Sequence, residues 1–328
     1  MMQITDLQAV SSPLPWQDTV WARLEEQMTQ ERLPHALLLS GPRHIGKARL
    51  ALALARKLLC EEPVDGLNCG HCRACLFSAN GSHGDFRWLQ PEEKSRVIKV
   101  DQVRALVEFT TKTAGFGKRK VVVIDPADEM NMNAANALLK SLEEPAPDTF
   151  LLLICDRLQK VPATVRSRCQ IVHLAMPGHD AALAWLDLAV GDPQQSEMLL
   201  QLAEGRPLLA DQLLREDSAA GLVELREQIN ALLTGRADVD SLVTTMVALG
   251  PQEALAHLVL ELQRWLRALP GEQLAGGLGQ AGFGLLSEIT RLQGALQAGA
   301  NPNPQLMLEV LVARAHRELG MRQLGGSI

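Results

Sequence analysis

Four groups of residues in this chain of 328 have the types and spacing to do chemistry. Gly41-Pro42-Arg43-His44-Ile45-Gly46-Lys47-Ala48 follows an apolar run and opens a helical segment. In a phosphate-binding loop of that pattern, backbone N–H groups cradle the phosphates and the lysine reaches the terminal ones. A Ser or Thr normally follows the lysine, because its hydroxyl holds Mg²⁺. Here the residue is Ala48, which has no side-chain oxygen. A strand-to-helix turn that keeps its glycines for geometry alone would read the same way. The second group is Val121-Val122-Val123-Ile124-Asp125-Pro126. It has the shape of the strand that presents a Mg²⁺-associated aspartate in such ATPases. Pro126 stands where a hydrolysing enzyme usually has Glu, and Asp128 and Glu129 lie further on. With Gly41, Gly46, Lys47 and Asp125 present but Ala48 and Pro126 substituted, the expectation is weak or absent ATP binding and no productive hydrolysis.

The third group is Cys60, Cys69, Cys72 and Cys75. Four thiolates at this spacing suit a closed tetrahedral zinc site, which leaves no position for a catalytic water. An iron–sulfur cluster is the main competing metal reading, although the bacterial ferredoxin run ending in Cys-Pro is missing. Disulfides do not suit a cytosolic chain. His71 and His83 are alternative ligands, while Cys155 and Cys169 read as ordinary residues of the fold. The fourth group is Ser167-Arg168-Cys169, which gains meaning only beside Ala137-Leu138-Leu139-Lys140-Ser141-Leu142-Glu143-Glu144-Pro145 upstream.

These groups need elements to position them. Helices are expected over Thr19–Glu31 (with Asp18 as N-cap), Lys47–Cys60, Val100–Thr113 and Asn133–Glu144. Apolar or β-branched runs over Ala36–Leu39, Lys120–Ile124, Phe150–Cys155 and Gln170–Leu174 read as strands. Residues 60–84 read as loop. Continuous apolar strands alternating with helices imply a parallel sheet covered on both faces. After residue 174 the chain is rich in Leu and Ala, is broken by Gly and Pro, and reads as helices only. Gly276–Gly284 is a loop candidate.

Composition narrows the function classes. Apolar residues make up 47%, so disordered and fibrous classes are excluded. The net charge of −6, with 6 Phe, 5 Trp and no Tyr, argues against a free-standing single-strand nucleic-acid binder or a zinc-dependent recognition module. The charge is uneven: residues 1–172 carry +2, residues 173–328 carry −8, and no lysine follows Lys160. No apolar run approaches the ~20 residues a bilayer span needs. The opening MMQITDLQ has neither a basic nor an apolar leader region, so a cytoplasmic protein is expected. Lys112, Lys118, Arg119 and Lys120 could meet DNA phosphate, or could be a solvated turn before a strand.

The phosphate loop, the four cysteines, the strand ending at Asp125, ALLKSLEEP and SRC occur together and in one order. Over about residues 15–174 this combination resembles clamp-loader subunits of bacterial DNA polymerase III, members of the AAA+ superfamily. The resemblance implies an α/β plus all-α chain. A RecA-like parallel-sheet domain would cover 1–174, with a zinc module at about 60–80. A helical lid would follow at 175–215 and a helical collar at 216–328. It also implies a place in a five-subunit ring with ATPase and delta subunits, acting on a sliding clamp and primed DNA as part of a DNA-directed DNA polymerase holoenzyme. Within that ring Arg168 would act in trans on a neighbour's ATP as an arginine finger. The substitutions at Ala48 and Pro126 place the chain nearer the family's non-hydrolysing stator than its ATPase subunit, the alternative. Cys155 takes a sensor position that carries a hydroxyl in ATPase subunits. Gly205-Arg206-Pro207 resembles the region where AAA+ proteins place a second sensor arginine, but its spacing differs from the usual one, so Arg206 reads equally as a surface residue.

Overall fold

Ala36–Ser40 (β1) is apolar from Ala36 to Leu39 because it lies inside a sheet covered on both faces. In the computed structural model, which describes residues 9–92, 95–216, 218–297 and 300–324, five strands form this sheet. The others are Phe86–Leu89 (β2), Lys120–Ile124 (β3), Thr149–Cys155 (β4) and Gln170–His173 (β5). Their order is β2-β3-β4-β1-β5, and every pair is parallel. Side chains alternate across a strand, so the two faces are separate. Leu37, Leu39, Val121, Val123, Leu152 and Ile154 pack with Trp21 and Leu24 of Asp18–Thr29 (α1) and Leu50, Leu54 and Leu58 of Lys47–Leu59 (α2). Leu38, Val122, Ile124, Leu151 and Leu153 pack with Val103 and Leu106 of Val100–Thr111 (α4) and Leu138 and Leu142 of Met132–Glu143 (α5).

The chain divides into two compact units, Met1–Leu214 and Arg215–Ile328. The first also holds Arg73–Ala79 (α3), Ala163–Arg166 (α6), His179–Val190 (α7), Pro193–Leu202 (α8) and nearly all of Pro207–Arg215 (α9). The helices expected to form a lid thus fall within the unit that carries the sheet. The second is helical throughout its described residues: Ala219–Leu233 (α10), Val239–Leu249 (α11), Pro251–Ala268 (α12), Gly271–Ala275 (α13), Gly277–Gln297 (α14) and Pro304–Leu324 (α15). Among the described residues no helix is long and apolar enough to cross a membrane. The opening octet, expected to lack a leader, lies outside the described residues.

The structure differs from the sequence expectations in five places. The segment over 60–84 is not all loop: it contains α3, whose N-terminus Cys72 caps by accepting from the Cys75 N–H. Strand β2 was not anticipated, because it is short and lies at the sheet edge with only Phe86 buried. Asp18 does not cap α1 but begins it, after a 3-10 turn over Pro15–Gln17. The glycines from 277 to 284 are helical rather than loop. A Cβ at Gly282 would stand 2.7 Å from Leu266 and 3.0 Å from Trp265, so glycine there lets α14 approach α12 closely. Lys120 is not at the surface: it is 3% exposed, donates to the Phe109 carbonyl at 3.0 Å and lies 4.3 Å from the Phe109 ring centre. Lys112, Lys118 and Arg119 are exposed.

The turn before β3 hangs on one buried carboxylate. Asp85 accepts the backbone N–H groups of Gly115, Phe116 and Gly117 at 2.9, 2.7 and 3.2 Å, and Lys120 stands 4.0 Å away. Burial opposes ionisation, but the three N–H groups and Lys120 hold its carboxyl below the ordinary carboxylate range. The stabilisation is therefore complete above the ordinary carboxylate pKa and is lost as pH falls through the lowered one. Asp85→Ala should cost about 3 kcal/mol in chemical denaturation at neutral pH. The gap between variant and wild type should narrow below pH 4 or so.

Candidate functional site

The parallel register sets the site. Ser40 of β1 pairs with Cys155 of β4, so the loop leaving β1 and the residue after β4 emerge side by side. In open parallel sheets this C-terminal edge is where ligands bind. The Gly41 N–H donates to the Cys155 carbonyl at 3.3 Å, and the Leu174 N–H donates to the Ser40 carbonyl at 2.8 Å. A Cβ at Gly41 would come within 2.2 Å of the Leu174 carbonyl oxygen. Gly46, at φ +91°, makes the left-handed entry into α2.

Lys47 is 5% exposed and points back into its own loop. Its ammonium donates to the Gly41 carbonyl at 2.8 Å, to the Pro42 carbonyl at 2.5 Å and to Asp156 Oδ1 at 2.7 Å. Arg43 Nε donates to the other Asp156 oxygen at 2.6 Å. The Asp156 backbone N–H in turn donates to Asp128 Oδ1 at 3.0 Å, which anchors the chain at that residue. Burial disfavours the ionised form of Asp156, but Lys47 and Arg43 outweigh it and hold the pKa low. The segment ahead of α1 closes the same loop: Trp16 Nε1 and Gln17 Nε2 both donate to the Ile45 carbonyl, at 2.9 and 3.1 Å. Trp16 meets Trp185 of α7 edge to face, with centroids 5.7 Å apart.

Asp125 lies at the end of β3, and its peptide bond to Pro126 is cis. Burial raises its pKa to about 6, against a hydrogen bond from Gln90 Nε2 at 3.4 Å. Asp128 and Glu129 bind Arg157, at 3.2 and 2.5 Å. Cys155 is buried, and burial raises its thiol to about 11. Arg206 donates to the Ala203 carbonyl at 2.9 Å and to Glu204 at 2.7 Å. Its field, with that of Arg43, adds to burial in holding His44 below the usual histidine range. The Leu208 N–H at the start of α9 donates to the His44 carbonyl at 3.3 Å.

The four cysteines come together. Their sulfurs all lie within 4.8 Å of one another, with Cys60–Cys72 and Cys69–Cys75 both at 3.9 Å. A tetrahedral ion with ~2.3 Å bonds to sulfur needs S–S edges of about 3.8 Å. The Cys69, Cys72 and Cys75 N–H groups point at the sulfurs of Cys60, Cys69 and Cys72, at 3.3, 3.3 and 3.4 Å, and Asn68 Nδ2 donates to the Cys75 sulfur at 3.3 Å. Donors aimed at sulfur favour thiolate, and four crowded thiolates need a cation. Burial raises the thiols of Cys60 and Cys75. At Cys69 hydrogen bonds from His71 and Cys72 overcome burial and lower the thiol to about 6. The set fits a metal ion. His71 instead bonds the Cys69 carbonyl, and His83 is buried with Nδ1 accepting from the Asp85 N–H.

SRC and ALLKSLEEP meet in one contact. Arg168 Nε donates to Glu143 Oε1 at 2.6 Å, and Nη2 pairs with the same carboxylate. Nη1 donates to the Thr164 carbonyl at 2.9 Å and to Ser167 Oγ at 3.2 Å. The side chain is 34% exposed. Cys169 is half-buried, and burial raises its thiol to about 12. The partners Asp156 and Glu143 were not singled out from sequence, although Glu143 lies in a motif that was.

The family model described as DNA polymerase III, delta subunit, matches residues 16–177. The chain is 46% identical over 217 residues to DNA polymerase III subunit delta-prime of Pseudomonas aeruginosa. That match spans 66% of this chain and 64% of the relative's length. It is 32% identical over 306 residues to the delta-prime subunit of Escherichia coli, spanning 89% of each. A DNA polymerase III gamma subunit-related protein of Thermotoga maritima has a similar fold, with a TM-score of 0.52 at 17% identity, covering 90% of this chain and 99% of the other.

Metal analysis of the purified chain should give about one zinc ion per molecule, with four sulfur ligands by X-ray absorption. Iron, or no metal, would overturn that assignment. Cys72→Ser should lower metal content and expose residues 60–80 to proteolysis.

Proposed function

Since the chain belongs to the DNA polymerase III subunit delta-prime family, we propose that it is a stator of a clamp loader. It assembles with ATPase and delta subunits into a ring that places a sliding clamp on primed DNA. It hydrolyses no ATP itself and supplies Arg168 in trans to a neighbour's ATP. Its four cysteines hold one structural zinc ion. The helical second unit, which contains no lysine, acts as the collar through which the ring assembles.

The observation that carries the arginine assignment is the way Arg168 is presented. A guanidinium has five N–H donors in a fixed fork. Glu143, Thr164 and Ser167 take four and set the plane of the group at the surface. Among the described residues the remaining Nη2 hydrogen has no partner, which leaves a permanently charged donor for an anionic oxygen of another subunit. The non-hydrolysing half of the reading rests on Lys47, whose three donors are all taken within the chain, and on the missing oxygen at Ala48.

Arg168→Ala should leave the chain folded and able to join the ring. DNA-stimulated ATP hydrolysis by the reconstituted complex should fall by at least tenfold at the junction it serves, since arginine fingers contribute ~10³-fold or more. Unchanged hydrolysis would remove the trans assignment.

A further inference from the structure

The loop Gly41–Ala48 keeps more of an anion site than a stator needs. Two cationic side chains converge there, since Lys47 and Arg43 both contact Asp156. Gly41 and Gly46 are held in positions a side chain would block, against Leu174 and Leu14. One carboxylate sits among these cations, and both its oxygens are used: Oδ1 on Lys47 and Oδ2 on Arg43. Two oxygens of one anion, bridging a lysine and an arginine above a glycine loop, are what a phosphate group would offer the same donors.

We propose that Asp156 is the residue that excludes polyphosphate from this loop, standing in for the phosphate from inside the chain. An ammonium has three hydrogens, and here two go to loop carbonyls and the third to Asp156. A phosphate can reach Lys47 only by displacing one of these three acceptors, and whether Asp156 stays or is displaced its carboxylate would lie beside the incoming anion. Repulsion and the lost ion pair act in the same direction. The backbone at Asp156 is anchored, because its N–H is tied to Asp128 and that carboxylate is tied to Arg157, so the Asp156 carboxylate can leave only by breaking its pairs with Lys47 and Arg43 and rotating its own side chain. The inference rests on reading Gly41–Ala48 as a phosphate loop; it does not depend on what Arg168 does.

The test is calorimetric titration of the isolated full-length chain with inorganic pyrophosphate, without Mg²⁺. Wild type should show no saturable binding below millimolar concentrations. Asp156→Asn keeps the shape and removes the charge; it should bind at least about tenfold more tightly, about 1.4 kcal/mol. Lys47→Ala/Asp156→Asn should lose that gain. An Asp156→Asn variant that binds no better than wild type would overturn the proposal, as would a double variant that binds as well as the single one. Should the single variant not fold, the Lys47 ammonium ¹⁵N resonance of wild type decides. It should be unmoved by 10 mM pyrophosphate, and a saturable shift would show that Asp156 does not exclude the anion. Loss of ATPase activity in the Arg168→Ala complex is independent of all these outcomes.

Discussion

A lysine side chain that is almost fully buried must find partners for three hydrogens or lose its charge. At Lys47 the fold meets that requirement from within, through two loop carbonyls and Asp156. The parallel pairing of β1 with β4 makes this possible, because it sets Ser40 beside Cys155 and brings the loop and the following aspartate to one sheet edge. In nucleotide-hydrolysing relatives of this architecture the same edge is where phosphate and metal are handled. Here its lysine is paired within the chain, Ala48 stands where a Mg²⁺-holding hydroxyl would be, and Asp125, following β3, has its pKa raised by burial to about 6. The local chemistry is spent on holding the loop together.

Arg168 is instead partly exposed at the surface. Two stretches 25 positions apart, ending α5 and following α6, are joined by the ion pair between Glu143 and Arg168. Half-exposed ion pairs contribute little to stability. Fixing the plane of a guanidinium is a different task, and the three partners of Arg168 do it with short, directional contacts. Glu143 therefore matters more for where the charge points than for how stably the chain folds.

Much of this was legible in the sequence, for reasons that differ by element. Strands β1, β3 and β4 announced themselves because burial on both faces demands unbroken apolar runs. Strand β2 did not, since an edge strand of four residues with one buried side chain leaves almost no pattern. The cysteine cluster was readable because metal ligation imposes short spacing along the chain. Asp156 and Asp85 were not readable, because each acts across the fold: Asp156 lies 109 positions from Lys47 and Asp85 lies 30 from Gly115. Lys120 was misread within a basic cluster, since its burial depends on Phe109 and Asp85 rather than on its neighbours in sequence. Glycines 277–284 suggested a loop by composition, but close helix packing asks for the same residue.

The central claim is that this chain's own nucleotide site is silent while it serves the site of a neighbour. Titration of the wild-type chain with MgATP, alone, addresses that claim most directly. The account predicts no saturable heat below millimolar ATP and no release of inorganic phosphate. Micromolar binding accompanied by turnover in the isolated chain would contradict it and restore an ATPase reading of the loop.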